Sequence, residues 1–220
     1  MARPKTAPRT ETYHRYLDAA EQAFIRYGYE GASIRRISTD ADAPLGTLHH
    51  YWGNKESLFR DVCERRFAPI QAEQLRRLHA AAGGDGQRPA LEAVVRALIE
   101  PPILADAADP AQQHAIRLLY GRVLTEPSDI VRRIVRDMFR DATRLFRDLL
   151  QAACPTLAPE AFYWRLTCAL GAFIFAQSFG DRVGYALGNA ADAPDWRQVI
   201  HEICGFVTRG MGESASQHPT

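Results

Sequence analysis

The chain has 220 residues, of which 46% are apolar, and its 27 lysines and arginines nearly balance 26 acids to leave a net charge of +1. That apolar fraction fills a substantial core and excludes a disordered chain, while the balanced total means that any nucleic-acid surface must come from local clustering of charge. The longest apolar run, LTCALGAFIFA from Leu166 to Ala176, is about half of the roughly 20 residues a membrane-spanning helix needs, and Met1 to Thr10 has no apolar signal core. A cytoplasmic protein with no membrane attachment is expected.

Residues 1–10 carry Arg3, Lys5 and Arg9 with no acid, and prolines keep this basic, flexible arm from helix formation. Tyr13, Leu17, Ala20, Phe24 and Tyr27 then recur at spacings of three and four, opened by Thr12 and closed by Gly28, which predicts a first helix. Ser33 is a suitable N-cap for a short second helix with Ile34, Ile37 and Ala41 on one side. DADAP, 40–44, reads as a turn, and Pro44 suits the first position of a third helix running from Leu45 to Trp52.

Gly53-Asn54 breaks that helix, and a fourth is predicted from Asn54 or Lys55 to about Ala82, kinked or interrupted at Pro69. AAGGDGQRP, 81–89, reads as a linker. Further helices are predicted near 89–100, 110–126, 127–152, 159–188 and 194–210, with Pro89, Pro110, Pro159 and Pro194 as starts and Pro101-Pro102 and Cys154-Pro155 as stops. No hairpin or alternating strand pattern is visible, so the fold class is all-α.

Two short helices joined by a tight turn and packed on a longer first helix form a helix-turn-helix, whose second short helix is free to enter a DNA major groove. On Leu45–Trp52, the spacing turns Leu45, Leu48 and Trp52 inward and leaves Gly46, Thr47, His49 and His50 outward. Gly46 permits close backbone approach, Thr47 suits a phosphate or a thymine methyl, and imidazoles donate or accept at base edges. Ser33, Arg35 and Arg36 on one flank and Lys55 on the other suit phosphate contacts. Adjacent helical histidines point about 100° apart and no carboxylate or cysteine is spaced to complete a site, so no metal is expected.

Cys63, Cys154, Cys168 and Cys204 form no CxxC pair and read as reduced thiols, with Cys63 and Cys168 in packed apolar patterns. No cofactor loop or nucleophile–base pattern is present, which leaves an enzyme built on Asp181 or His114 a remote alternative.

EGASIRRISTDADAPLGTLHHYWGNKESLF resembles the N-terminal helix-turn-helix of the TetR family of bacterial regulators. Gly46, Thr47, Leu48, His50, Tyr51, Trp52, Lys55 and Glu56 match the family's pattern, as does the pair Gly28-Tyr29, over roughly residues 10–60. The resemblance implies phosphate contacts for Thr47, Tyr51 and Lys55, and base contacts for Arg35, Leu45, Gly46, His49 and His50. Two residues depart from the pattern. Asp42 replaces the usual turn glycine, and aspartate enters left-handed turns more easily than most residues; His49 replaces the usual tyrosine.

The resemblance also implies that the remainder of the chain holds a ligand pocket and a dimer interface. The organisation expected is an arm at 1–10, a DNA-binding domain at 11–53, a ligand-binding and dimerisation domain at 54–212 and a flexible tail at 213–220. Phe162 to Phe179 is apolar nearly all round, which predicts a helix buried on both sides. Phe162, Ala169, Ala172 and Ala176 there, with Trp196 and Ile203 on the last helix, are the candidate interface of a homodimer joined by a four-helix bundle.

RLLYGRVLTEPSDIVRRIVRDMFRDATRLF and LAPEAFYWRLTCALGAF are similar to a C-terminal domain type found among TetR regulators, some of which respond to fatty acids or acyl thioesters. Met138, Phe146 and Phe173 are candidates to line an apolar pocket, with Arg117, Arg122 and Gln177 as polar orienting groups, although Arg122 and Glu126 are also spaced as an ordinary helix pair. The function expected is a ligand-responsive transcriptional repressor that binds a double-stranded DNA operator and takes a small-molecule effector but no cofactor. The alternatives are an activator of the same type and a helical adaptor that binds protein.

Overall fold

The computed structural model describes residues 11–84, 87–105, 109–188 and 194–212. The basic arm, the tail and the side chain of Asp181 lie outside the described residues. Ten helices are described: α1 (Glu11–Gly31), α2 (Ile34–Asp40), α3 (Leu45–Trp52), α4 (Lys55–Ala81), α5 (Leu91–Ile103), α6 (Pro110–Thr125), α7 (Asp129–Met138), α8 (Arg140–Ala153), α9 (Pro159–Ala186) and α10 (Trp196–Gly212). No strand occurs among the described residues. One apolar cluster runs from Tyr13 in α1 to Met211 in α10.

The first three helices are short or interrupted at the places where local chemistry demands it. Gly28, at φ 70° and ψ 178°, ends the regular part of α1, in a backbone region that a side chain rarely enters. Asp42 makes the turn between α2 and α3 at φ 47°, the one non-glycine residue with positive φ among those described. Pro44 is the N-cap of α3 rather than its first residue. Its carbonyl accepts the Thr47 N–H at 2.9 Å and the Tyr16 hydroxyl at 2.5 Å, so the ring stands outside the helix while its oxygen starts it.

Neither proline stretch breaks its helix. α4 runs through Pro69 without interruption: the proline is exposed, and the buried residues on both sides of it, Phe67 and Ile70, hold the helix to the core. α5 likewise takes in Pro101 and Pro102 and ends at Ile103. Pro102 cannot donate to the Leu98 carbonyl four residues earlier, and Gln74 of α4 supplies a donor in its place at 2.7 Å.

The single helix predicted over 127–152 is two, bent at Phe139 (φ −93°, ψ 9°). Phe139 is buried against Phe67 and Tyr120, and Gln71 of α4 donates to the Met138 carbonyl, so contacts from other helices set the bend. Within the chain α9 is covered on one side, which leaves the second side of the expected double burial to a partner. Phe173 and Gln177 are buried, whereas Tyr163 and Trp164 are 61% and 57% exposed. Cys168 lies on that helix and is exposed rather than packed; Cys63, Cys154 and Cys204 are buried. None of the described helices is long and apolar enough to cross a membrane.

Candidate nucleic-acid interface

An eight-residue helix is too short to hold its shape alone, so α3 depends on its anchors. Leu48 and Trp52 are buried and Leu45 is half-buried. The Trp52 ring stacks on Tyr13 with centroids 4.8 Å apart. Asp61 of α4, buried, accepts from both: the Tyr13 hydroxyl at 2.8 Å and the Trp52 indole N–H at 2.9 Å meet at its Oδ2. At the other end of α3, Tyr16 holds the Pro44 carbonyl. Tyr16 and Asp61 were not singled out by the sequence; the signal for Asp61 is a carboxylate at a core position between Leu58 and Val62.

With those anchors in place the opposite side of α3 is open. Gly46, His49 and His50 are exposed and Thr47 is half-buried. A Cβ at Gly46 would meet nothing within 4 Å, so the backbone there is bare to an approaching surface. His49 Nδ1 lies 3.0 Å from the Gly53 carbonyl; because a carbonyl only accepts, Nδ1 carries the proton of this bond and Nε2 remains for an outside partner. Tyr51 is half-buried and packs edge-on to Tyr13.

α2 contributes a second exposed row. Ser33 and Arg35 are exposed, and Ser33 makes no side-chain cap bond. Arg36 lies over the Tyr27 ring at 4.9 Å and 3.7 Å from Asp40, an exposed pair that leaves the guanidinium usable. A surface groove of about 490 Å³ separates the rows, with Arg35 and Thr39 on one bank and Pro44 and Leu45 on the other.

Lys55 sits differently from the free phosphate-seeking ammonium that the sequence suggests. Its Nζ donates to the carbonyls of Tyr29 at 2.8 Å, Ala32 at 3.2 Å and Glu30 at 3.4 Å, closing the end of α1, and lies 4.5 Å over the Tyr29 ring. Burial, with Glu56 and Glu30 nearby, pushes the Tyr29 phenol above its ordinary range and keeps it neutral. Among the described residues no three His, Cys, Asp or Glu side chains are arranged to hold a metal ion.

Two family models match this chain. One, described as "Bacterial regulatory proteins, tetR family", matches residues 17–62, and the other, "Tetracyclin repressor-like, C-terminal domain", matches residues 92–210, more than half of the chain. The chain belongs to the TetR family. This is a family of regulatory proteins, not enzymes.

Among relatives, the chain is 33% identical over 61 residues to the HTH-type transcriptional repressor AcnR of Corynebacterium jeikeium, covering 26% of this chain and 32% of that one. It is 39% identical over 66 residues to the HTH-type transcriptional repressor NicS of Pseudomonas putida, covering 30% and 31%. The chain thus spans about a third of the length of these curated relatives. The solved structure of the fatty acid degradation regulator FadR from Bacillus halodurans superposes with a TM-score of 0.61 at 14% identity over 97% of this chain and 100% of that one. FadR from Bacillus subtilis in complex with stearoyl-CoA gives 0.59 at 12% identity over 90% and 98%. At such identities the likeness is one of fold.

The candidate pocket residues of the TetR C-terminal domain do not all converge. Phe146 and Phe173 share an apolar cavity of about 20 Å³ with Leu98, Leu166 and Val207. Arg122 is exposed and borders a separate crevice beside Phe59 and Glu126, and Met138 is half-buried. Arg117 is buried, with its guanidinium 4.2 Å over Trp196 and Nη1 donating to Gln113 at 3.0 Å and to the Ile103 carbonyl at 3.3 Å. Burial pulls its pKa below the ordinary arginine range. Gln177 is buried with neither amide atom hydrogen-bonded among the described residues.

Of the candidate interface residues, Phe162, Ala169, Ala172 and Ala176 are half-buried on α9. Trp196 lies under Arg117 and Ile203 is buried in the chain's own core, while the open side of α10 carries Phe206, 60% exposed.

Proposed function

We propose that this protein is a transcriptional repressor that binds a near-palindromic operator as a homodimer and is released by an apolar or amphipathic effector. The observation that carries the DNA-binding reading is the two-sided character of α3: Leu48 and Trp52 are locked inward while Gly46, Thr47, His49 and His50 face out beside the exposed Ser33, Arg35 and Arg36 of α2. That is the arrangement a recognition helix needs, with base-reading groups at its outward face and phosphate-seeking groups along its flank. Residues 11–53 form the DNA-binding unit and 54–212 the sensing and dimerising unit.

Dimerisation is supported by the apolar side chains that α9 and α10 leave open, above all Tyr163, Trp164 and Phe206; exposed aromatics in such number mark an interaction surface. A two-fold pairing of these helices sets two copies of α3 against adjacent major grooves, which lie about 34–36 Å apart on one face of DNA. The effector is proposed to be a fatty acid or acyl thioester. The stearoyl-CoA of the Bacillus subtilis neighbour belongs to that protein; in this chain the support is the Phe146–Phe173 cavity and the buried amide of Gln177, which has no hydrogen-bond partner among the described residues. The effector must widen the cavity, because about 20 Å³ holds no acyl chain.

That widening has a path to α3. α4 begins beside α3 and extends into the sensing unit. In addition Ser128 donates to Glu30 at 2.9 Å, Arg133 to Glu56 at 3.0 Å, and the Glu126 carboxylate abuts Gly28. A shift of α6 and α7 therefore moves α1 and α4 directly. The test is selection of duplexes from a random pool, followed by titration of oleate and oleoyl thioester into the preformed complex. A near-palindromic site and a several-fold to hundredfold release would match a coupling of about 1–3 kcal/mol; bound acyl ligand that leaves DNA affinity unchanged rejects the effector assignment.

A further inference from the structure

A further cleft lies outside every residue discussed so far as an effector site. It has a volume of about 760 Å³ and is walled by six arginines: Arg132, Arg133, Arg136, Arg140, Arg144 and Arg147. Apart from the adjacent pair Arg132 and Arg133, they recur at spacings of three and four residues, so the bend at Phe139 carries one arginine-rich face from α7 into α8. The apolar part of its lining is Val123 and Leu124 of α6 and Val135 of α7, and Asp129 is the single acid lining it among the described residues.

A charged helix face is most often only solvated, and the acids near this one show how far that description goes. Asp137 lies 2.6 Å from Arg140 and 3.6 Å from Arg136, Asp148 lies 2.7 Å from Arg147, and Asp129 pairs with Arg132. These pairs are exposed and join residues no more than three apart, the kind that contributes little and is readily given up to a stronger anion; Arg133 is the exception, paired with Glu56 of α4 at 3.0 Å. Arg144 has no acid partner among the described residues. A merely solvated face, moreover, is convex and has no apolar lining. This one is an open cleft within the size range of small-molecule sites, lined by apolar side chains as well as by cations.

We propose that this cleft binds a small organic oligophosphate. Guanidinium groups match phosphate oxygens in paired, planar hydrogen bonds, and several around one concavity recognise a chain of phosphates better than a single one. The organic portion rests on Leu124 and Val135, the accessible apolar residues of the lining, which an inorganic anion leaves wet. DNA backbone is the competing anion, but a duplex presents a convex surface with nothing to offer the apolar lining.

The test is isothermal titration of ADP and of inorganic pyrophosphate into the full-length protein at about 0.15 M salt, where exposed charges are screened over roughly 8 Å. The proposal expects saturable binding of one ADP per chain, weaker binding of pyrophosphate, and at least a tenfold loss in the triple variant Arg136→Gln, Arg140→Gln, Arg144→Gln. All three residues are exposed, so the variant should keep its circular dichroism spectrum; if it does not, Arg140→Gln and Arg144→Gln singly should each weaken ADP about threefold. Exposed arginines elsewhere serve as the control, and Arg76→Gln should leave the affinity unchanged. Absence of saturable binding for both anions, equal binding by the triple variant, or a loss confined to duplex DNA overturns the proposal.

Discussion

Replacing Asp61 by alanine removes one oxygen that two other helices share. Oδ2 accepts from Tyr13 of α1 and Trp52 of α3, and without it a phenol and an indole N–H are left in a buried site. Hydrogen bonds to a charged acceptor contribute about 1.5–3 kcal/mol each, but two that meet at one atom do not add in full, so a cost near 3 kcal/mol is expected. For a chain of this length that is a fall of roughly 6–12 °C in Tm. Asp61→Asn keeps a neutral acceptor and should cost about half as much. Thermal unfolding followed by circular dichroism measures both, and operator binding should weaken in the same order because Trp52 is the inward anchor of α3. An alanine variant within about 0.5 kcal/mol of wild type would refute the claim that this carboxylate holds the reading helix.

Gly121→Ala places a Cβ 1.8 Å from Ser178 Oγ and 3.1 Å from Ser178 Cβ, where α6 meets α9. The helix-propensity gain of about 1 kcal/mol should be outweighed by overpacking of about 1–3 kcal/mol, and adding Ser178→Ala should restore most of the loss in denaturant melts. Glu73, hydrogen-bonded by Arg76 and Arg77, is held down at a pKa of about 2. A depressed carboxylate stabilises above its unfolded pKa, so its small contribution is present above about pH 4.5 and lost as pH falls towards 2; in Glu73→Gln, acid melts should show a shallower decline across that window. Tyr163→Asp with Trp164→Asp, on the open side of α9, should yield monomers by light scattering, and an unchanged oligomeric state would remove that face from the proposed dimer interface.

The helix-turn-helix was legible because its determinants are local. The three- and four-residue spacing from Tyr13 to Phe24, the breaks at Gly28 and Gly53, and the tolerance of Asp42 for a left-handed turn all act within a few residues of chain. The features that escaped are those imposed from far away. The bend at Phe139 needs Phe67 and Tyr120, the continuation of α5 through two prolines is accompanied by a donor from Gln74, and the seat of Lys55 depends on where α1 ends. The second side of α9 was legible as a candidate interface, but not as a bare face, because an apolar helix reads the same whether that face meets its own chain or another one. The arginines of α7 and α8 were visible as charge, but only the fold gathers them around one cleft.

The central claim is that the outward face of α3 meets DNA, and Gly46→Glu tests it most directly. A Cβ at Gly46 meets nothing within 4 Å on an exposed face, and glutamate replaces a residue of poor helix propensity, so Tm should stay level or rise slightly. Against a duplex, the same carboxylate stands on the closest-approaching backbone and faces phosphate and base edges. Fluorescence anisotropy on the selected operator should show wild-type affinity falling steeply with salt, and the variant weaker by at least a hundredfold at equal Tm. Operator affinity within twofold of wild type would contradict the account, because the surface assigned to DNA would then not touch it.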